Sequence, residues 1–505
     1  MNIAPSDNVR YVTLPAVKLA YCLRPLVSRS VAFRASRTNE ESMRNFENTW
    51  KPFHSCLRLA LMGVSFVFPA LADGQQLKST YPRIGAYEIA GTSKTVDPQY
   101  RQALSKHDIV ILGMWRGWSG VDSATNAQLT MRDVVIDIKR RAAASGNNGI
   151  LIGKYTMFME SFGGSGNSAS SDKFQKLSNE VGPGYATNND WWARNARGEN
   201  TSSYPGNWNT NITEFVQRDS NGDTWPEWSI QRDYELFFSE VPELNLWFID
   251  NWFYRPRVDA DWDGDGKDDD RNSESVRRSY RKGFVNGLRR ARQLAPDMVI
   301  MGNVDGSPQD NVGMLTEPEY KGQISALYEG AMGMSWSQET WSTWESMMQQ
   351  YQVTLENARN RMLIMTVQGN ATDYALMRYG LTSCLMDDGY YYYTTSDTEY
   401  RSALWFDEYD VDLGRAVDPP QFSPWQNGVY RRRFQNGIAL VNPKGNGRRT
   451  VQIESGYRRI DGHQDPTINN GSPATSVTLA ERDGIILVKA GTSSAKRPKA
   501  PVMIQ

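Results

Sequence analysis

From residue 80 onward, short apolar runs alternate with stretches of helical period. RIGAYEIA (83–90), DIVILGMW (108–115), ILIGKYTMFM (150–159) and NLWFID (245–250) read as strands. So do MVIMGN (298–303), ISALYEGAM (324–332), RMLIMTVQG (361–369) and GYYYYTT (389–395). Amphipathic segments around 128–145, 229–239, 273–294, 339–358 and 371–386 separate most of them. In DVVIDIKRRAAA (133–144), Val134, Ile138 and Arg141 recur at helical spacing, with charges on the other side. Eight strands with helices between them predict an α/β fold, a (β/α)8 TIM barrel over residues 80–418. A doubly wound sheet competes, but it favours a glycine-rich turn after the first strand, and YEIAGTSKT holds one glycine there.

Near Pro419 the pattern changes. NGVYRRRFQNGIALVNPKGNGRRTVQIE and ATSVTLAERDGIILVKA alternate short strands with Asn-Gly, Lys-Gly and Asp-Gly turns, without helical period. This predicts a small C-terminal antiparallel β-sandwich over 419–490, followed by a loose tail at 491–505.

The other end of the chain carries RLALMGVSFVFPALA (58–72), an apolar core of signal-peptide length behind Arg44, Lys51 and Arg58. It closes on Ala70-Leu71-Ala72, the small-x-small pattern of a cleavage site. Too short to span a bilayer comfortably and broken by Pro69, it predicts no stable membrane insertion. Met43 is the better start, which makes residues 1–42 an over-extended leader and 1–72 leader plus signal peptide. The mature chain is then expected to begin near Asp73 and to be secreted or periplasmic, a buried N-terminal helix being the alternative.

Composition narrows the function class. The 56 basic and 57 acidic residues give a net charge of -1 with no basic stripe, so nucleic acid is not an expected partner. Three cysteines (Cys22, Cys56 and Cys384) exclude a disulfide framework. The 16 tryptophans and 24 tyrosines suit sugar faces as well as a core.

In a barrel the chemistry sits where strands end. LWFIDNWF (246–253) sets Asp250 and Asn251 inside an aromatic run, where a carboxylate must be satisfied or used. The other predicted ends supply Tyr87 and Glu88, Trp115 and Arg116, Lys154 and Tyr155 or the later Glu160, and Asn303. The last three supply Tyr328 and Glu329, Gln368, and Asp388 with Tyr390. Paired carboxyls among amides and rings are the equipment for splitting a glycosidic bond. Asp250 and Glu329 form the expected catalytic pair, Glu329 as proton donor because an apolar setting raises its pKa, Asp250 as the charged partner. Tyr87, Glu88, Trp115, Lys154, Asn251, Asn303, Tyr328, Gln368, Asp388 and Tyr390 are the expected substrate contacts.

Other chemistries lack their residues. Only His54, His107 and His463 are present, too few and too scattered for a metallohydrolase. Lys154 is the single candidate for a Schiff base, and it reads better as a hydrogen-bond donor. There is no Gly-x-Ser-x-Gly elbow, P-loop or dinucleotide fingerprint. No catalytic cofactor is expected. DADWDGDGKDDD (259–270) does alternate Asp259, Asp261, Asp263 and Asp265 about Gly264 and Gly266. With Asp270 at the twelfth position in place of the EF-hand glutamate, these predict a structural calcium loop bracing the chain after strand four.

The order of LWFIDNWF, ALYEGAMG, ALMRYGLTSCLMDDGYYYY and RRRFQNGIALVNPKG resembles hypothetical glycosyl hydrolase family 15, which is unrelated to the glucoamylases sharing the number. The resemblance runs from about residue 80 to 490. It implies a glycosidase barrel related to the α-galactosidase-like superfamily, whose nucleophilic aspartate follows strand four and whose acid/base carboxylate follows strand six. Carried over, those roles fall on Asp250 and Glu329. The expectation is an exported glycoside hydrolase acting on a polysaccharide or oligosaccharide. A non-catalytic carbohydrate-binding or polysaccharide-export accessory protein is the rival, and it tolerates the two carboxylates splayed apart or locked in ion pairs. A transglycosidase would share the whole site.

Overall fold

Eight short buried strands form one parallel sheet in chain order: β1 (Gly85–Glu88), β2 (Ile109–Leu112), β3 (Leu151–Thr156), β4 (Leu246–Ile249), β5 (Val299–Asn303), β6 (Gly330–Gly333), β7 (Met362–Gly369) and β8 (Tyr390–Thr395). The computed structural model describes residues 78–162, 171–179, 190–252, 255–303, 327–333, 343–358, 360–395 and 400–491. The leader, the signal segment and nearly all of the tail lie outside the described residues. Each strand pairs in parallel with the next, and burial on both faces accounts for their near-continuous apolar runs. Beside β1, Ile84 bridges in parallel to Tyr391 of β8, whose N–H donates to the Arg83 carbonyl at 2.9 Å.

The connecting helices start where local chemistry allows. Among the described residues they are α1 (Pro98–Leu104), α2 (Met131–Ala144), α3 (Ser171–Asn179), α4 (Trp225–Asp233), α5 (Glu274–Leu294), α6 (Trp344–Asn357) and α7 (Tyr374–Cys384). At α2 the Thr130 side chain accepts from the Asp133 N–H and Asp133 answers to the Thr130 N–H, a reciprocal capping box. Its buried stripe is Met131, Val134, Val135, Ile138 and Ala142. The short α1, opened by Asp97 and Pro98, escapes a periodicity reading because seven residues make barely two turns. Among the described residues no helix is long and apolar enough to cross a membrane.

Register fixes which side chains share a face. Tyr155, Phe248, Met301, Gly330 and Met362 lie in one row across β3 to β7. Glu88, Leu112, Lys154, Trp247 and Ile300 lie in another. Lys154, Trp247 and Ile300 immediately precede members of the first row, so the second row belongs to the opposite, helix-covered face.

The sixth strand begins later than its apolar run suggests. β6 starts at Gly330, so Leu327, Tyr328 and Glu329 precede it. Glycine at 330 looks like a strand terminator but is a packing requirement, because a Cβ there would come within 2.5 Å of Met362 Cβ.

The C-terminal part contains β9 (Tyr430–Arg433), β10 (Gly437–Asn442), β11 (Arg449–Gln452), β12 (Tyr457–Arg459), β13 (Ser476–Leu479) and β14 (Asp483–Lys489). An antiparallel four-stranded sheet runs β9-β10-β14-β12, and β11 pairs with β13. Ile438, Leu440, Ile485 and Leu487 of the larger sheet share a buried cluster with Val451 and Val477 of the smaller. The alternate residues Ala439, Val441, Ile486 and Val488 join the cluster of α6, α7 and the helix-covered side of β7 and β8. At this junction the buried Arg378 of α7 donates to the Gly484 carbonyl at 3.2 Å and to Asp465 at 2.7 Å, with Asp483 at 3.5 Å.

Candidate active site

Asp250 continues the β4 ladder by one residue, its N–H donating to the Thr156 carbonyl at 2.9 Å. Alternation from Phe248 turns its carboxylate to the Tyr155 face. The Tyr155 hydroxyl donates to Oδ2 at 2.7 Å, while Oδ1 is buried with no hydrogen-bond partner among the described residues. Asn303, ending β5 on the same face, likewise leaves its buried Oδ1 unpartnered. Tyr87 packs its ring 5.2 Å from Phe248, 6.2 Å from Tyr155 and 5.2 Å from Tyr400. Burial raises the Asp250 pKa, opposed by the Tyr155 hydroxyl, the Asn303 side chain and the Asn251 backbone.

After Asp250 the chain must turn sharply. Asn251 takes φ +64°, a left-handed conformation that asparagine tolerates, and its amide reaches the Met157 sulfur at 3.1 Å. Trp252 then donates its N–H to the Asn303 carbonyl at 2.9 Å. Its indole lies over Gly302, where an added Cβ would come within 1.9 Å of the ring.

A second carboxylate approaches from a small hairpin in which Glu160–Phe162 pairs with Asn207–Asn209. Glu160 is buried, with its Oε1 3.5 Å from an Arg257 guanidinium nitrogen and its Oε2 3.4 Å from the Asn207 amide. Burial raises the Glu160 pKa, Arg257 and Asn207 lower it, and the Asp250 charge raises it further. The two acids therefore feel one another, the condition under which one holds a proton while the other stays charged. Exposed rings are Trp115 after β2, Phe162 two residues after Glu160, and Tyr204 in the segment that leads into the Asn207–Asn209 strand.

Glu329 is not brought to this place. Preceding Gly330, its side chain lies on the helix-covered face at the start of β6, whereas Asp250 follows the end of β4. Arg292 of α5 grips both its oxygens at 2.7 Å, and the Ile300 N–H donates to Oε2 at 2.7 Å. That is the ion-paired arrangement a binding protein could tolerate, and it removes Glu329 from the expected catalytic pair.

Several expected substrate contacts are also corrected. Asp388 and Tyr390 stand at the start of β8, not at its end. Asp388 accepts from Tyr81 at 2.6 Å and from Arg432 of β9 at 2.7 Å, anchoring the C-terminal sheet. Tyr390 is buried with Arg83 over its ring at 5.7 Å. Lys154 faces the helices, donating to the Tyr155 carbonyl and lying 4.3 Å from the Phe237 ring, and burial pulls its ammonium down to about 7. Glu88 is fully buried and takes three donors, Tyr100 at 2.6 Å, Tyr392 at 3.1 Å and the Ala403 N–H at 3.1 Å. Tyr328 is fully buried, edge-on to Trp252 at 5.0 Å. Gln368 remains on the Asp250 face and donates to the Tyr400 hydroxyl at 3.2 Å.

Asp261, Asp263 and Asp265 each place one carboxylate oxygen within 4.8 Å of the others. Asp259 is turned away to accept from the Arg271 N–H at 3.0 Å, and Asp270 accepts from Asn272 at 2.8 Å. Asp259 and Asp270, also expected as ligands, are not in this group.

Residues 155–438 match the family described as hypothetical glycosyl hydrolase family 15. No curated protein matches the chain. Among solved structures, an Anoxybacillus alpha-amylase aligns over 81% of this chain and 98% of its own at 10% identity, with a TM-score of 0.43. The glycoside hydrolase domain of PelA from Pseudomonas aeruginosa covers 63% of this chain and 97% of its own at 12% identity and TM-score 0.36. The GH36 alpha-galactosidase AgaA from Geobacillus stearothermophilus covers 81% and 56%, at 9% identity and TM-score 0.39.

Proposed function

Because the chain belongs to hypothetical glycosyl hydrolase family 15, we propose that it cleaves glycosidic bonds of a polysaccharide with two carboxyl groups, Asp250 and Glu160. The observation that carries this is Asp250 itself. It is a buried carboxylate at a strand end whose Oδ1 has no hydrogen-bond partner among the described residues, and its charge raises the pKa of Glu160. A carboxylate kept for structure is normally saturated with donors, as Glu88 and Glu329 are.

Glu160, raised by burial and by its acidic neighbour, protonates the departing glycosidic oxygen as the bond to the anomeric carbon breaks. Asp250 supplies negative charge to the electron-poor carbon that remains, and water completes the hydrolysis. Tyr155 holds Asp250 in place, Asn303 and Gln368 offer amides to sugar hydroxyls, and Trp115 offers a face for stacking. The site is read as the strand-end rim of a closed (β/α)8 barrel, a reading supported by the Ile84–Tyr391 bridge between the first and last strands. The C-terminal sheets are read as a β-sandwich, supported by the core they share. Export is inferred from the apolar run at 58–72.

The test is a panel of bacterial exopolysaccharides incubated with purified protein beginning at Asp73, new reducing ends being measured. Release by the wild type and its loss in both Asp250→Asn and Glu160→Gln is expected. Hydrolysis by both variants at the wild-type rate overturns the assignment, and binding without any release favours the accessory-protein reading.

A further inference from the structure

We propose that Asp261, Asp263 and Asp265 hold a calcium-class divalent cation, at a site separate from the two carboxyl groups assigned to the reaction. Three acidic side chains close together would not suffice for this. The second observation is Asp261, only 8% exposed, whose Oδ1 is buried without a hydrogen-bond partner among the described residues. Its Oδ2 is already fixed by the Gly266 N–H at 3.0 Å. A buried, unpartnered carboxylate oxygen beside two further carboxylates is unfavourable by itself, and a dication removes both the desolvation and the repulsion. Lys267 does not fill that role: its exposed ammonium pairs with Asp265 at 3.0 Å and makes no hydrogen bond to Asp261.

The donor set selects the ion. All three ligands are carboxylate oxygens, with no histidine or thiol in the group, which suits a hard cation. Asp263 and Asp265 are exposed, leaving room for water to complete an irregular shell of the kind calcium accepts and magnesium resists.

The loop also has something to brace. The Asp261 N–H donates to the Arg194 carbonyl at 2.8 Å, Asn211 donates to the Trp262 carbonyl at 2.9 Å, and the Ala196 N–H donates to Asp268 at 2.6 Å. Arg271, at the far end of the loop, donates to the carbonyl of Arg257, the residue paired with Glu160. An ion at the three aspartates would therefore stiffen the segment that presents Arg257 to the proposed proton donor.

The experiment uses the whole mature protein freed of metal by chelation, with thermal melting followed as CaCl2 or MgCl2 is added. Calcium at about 100 times its Kd is expected to raise Tm by about 5 °C. Asp263→Asn and Asp265→Asn, both at exposed positions, should fold normally and weaken calcium binding about tenfold or more. Terbium luminescence excited through tryptophan should show the same loss in the two variants. The proposal is overturned if calcium leaves Tm unchanged, if the variants respond as strongly as the wild type, or if magnesium serves equally well at the same concentration.

Discussion

Asp250 at the exit of β4 and Glu329 at the entrance of β6 are both buried carboxylates on one sheet, and they are satisfied in opposite ways. Glu329 takes a two-pronged grip from Arg292 and a backbone N–H from Ile300, on the face covered by helices. Asp250 takes the Tyr155 hydroxyl on Oδ2, with the Asn303 side chain and Asn251 backbone also favouring its charge, and its Oδ1 has no hydrogen-bond partner among the described residues, on the face lined with rings. Complete satisfaction marks a carboxylate that holds structure together. Incomplete satisfaction leaves binding capacity and a raised proton affinity, the properties acid–base chemistry uses.

Substitutions can break that contrast. Asp250→Asn should lower kcat about 1000-fold while the protein stays folded, measured on whichever polysaccharide the panel identifies. It should also reveal the strain of the native residue. A carboxyl whose folded pKa is raised contributes stability at low pH, and that contribution is lost as pH climbs from the unfolded carboxyl range through the folded value. The variant should therefore melt higher than the wild type at neutral pH and alike at low pH.

Glu329→Gln should do the reverse. It leaves Arg292 facing an amide, costs about 3 kcal/mol of stability in chemical denaturation, and leaves kcat per folded molecule intact. A collapse of kcat without loss of stability would return Glu329 to the chemistry. Glu160→Gln should lower kcat about 100-fold for substrates with poor leaving groups. It should also erase the alkaline limb of kcat/KM, which in the wild type lies above the ordinary carboxyl range because burial raises this group. The mildest change, Trp115→Ala, removes an exposed stacking face and should raise KM about fivefold with kcat unaltered, the size expected of about 1 kcal/mol of aromatic contact.

Much of the sheet was legible because buried parallel strands announce themselves as apolar runs. Residues 246–249, 299–303, 362–369 and 390–395 fall inside runs read directly from the sequence. What an apolar run does not say is where pairing begins. ISALYEGAM is apolar on both sides of its glutamate, and Gly330 imitates a terminator, so Glu329 was placed at the wrong end of its strand. Asp388 and Tyr390 differ: the run 389–395 matches the strand, and the chain direction alone puts both residues at its entrance and not at the rim. Lys154 and Tyr155 could not be told apart for a different reason. Facing is set by cross-strand register with Trp247 and Phe248, which no single strand encodes. Asp250 was readable, since an acid closing an aromatic strand is conspicuous wherever the register falls. Glu160 could be named as a candidate, but its hairpin and its Arg257 partner come from segments far apart in the chain.

Arg378 has a bearing on how this enzyme can be cut. One guanidinium at 3% exposure joins a helix of the large sheet to a carbonyl and two acids beyond residue 460, over a greasy seam that neither side can cover alone. A fragment ending at 418 would present that seam, and a stranded cation, to water. The C-terminal strands are thus no detachable accessory but half of the cover over the helix side of β7 and β8, and trimming experiments should spare them.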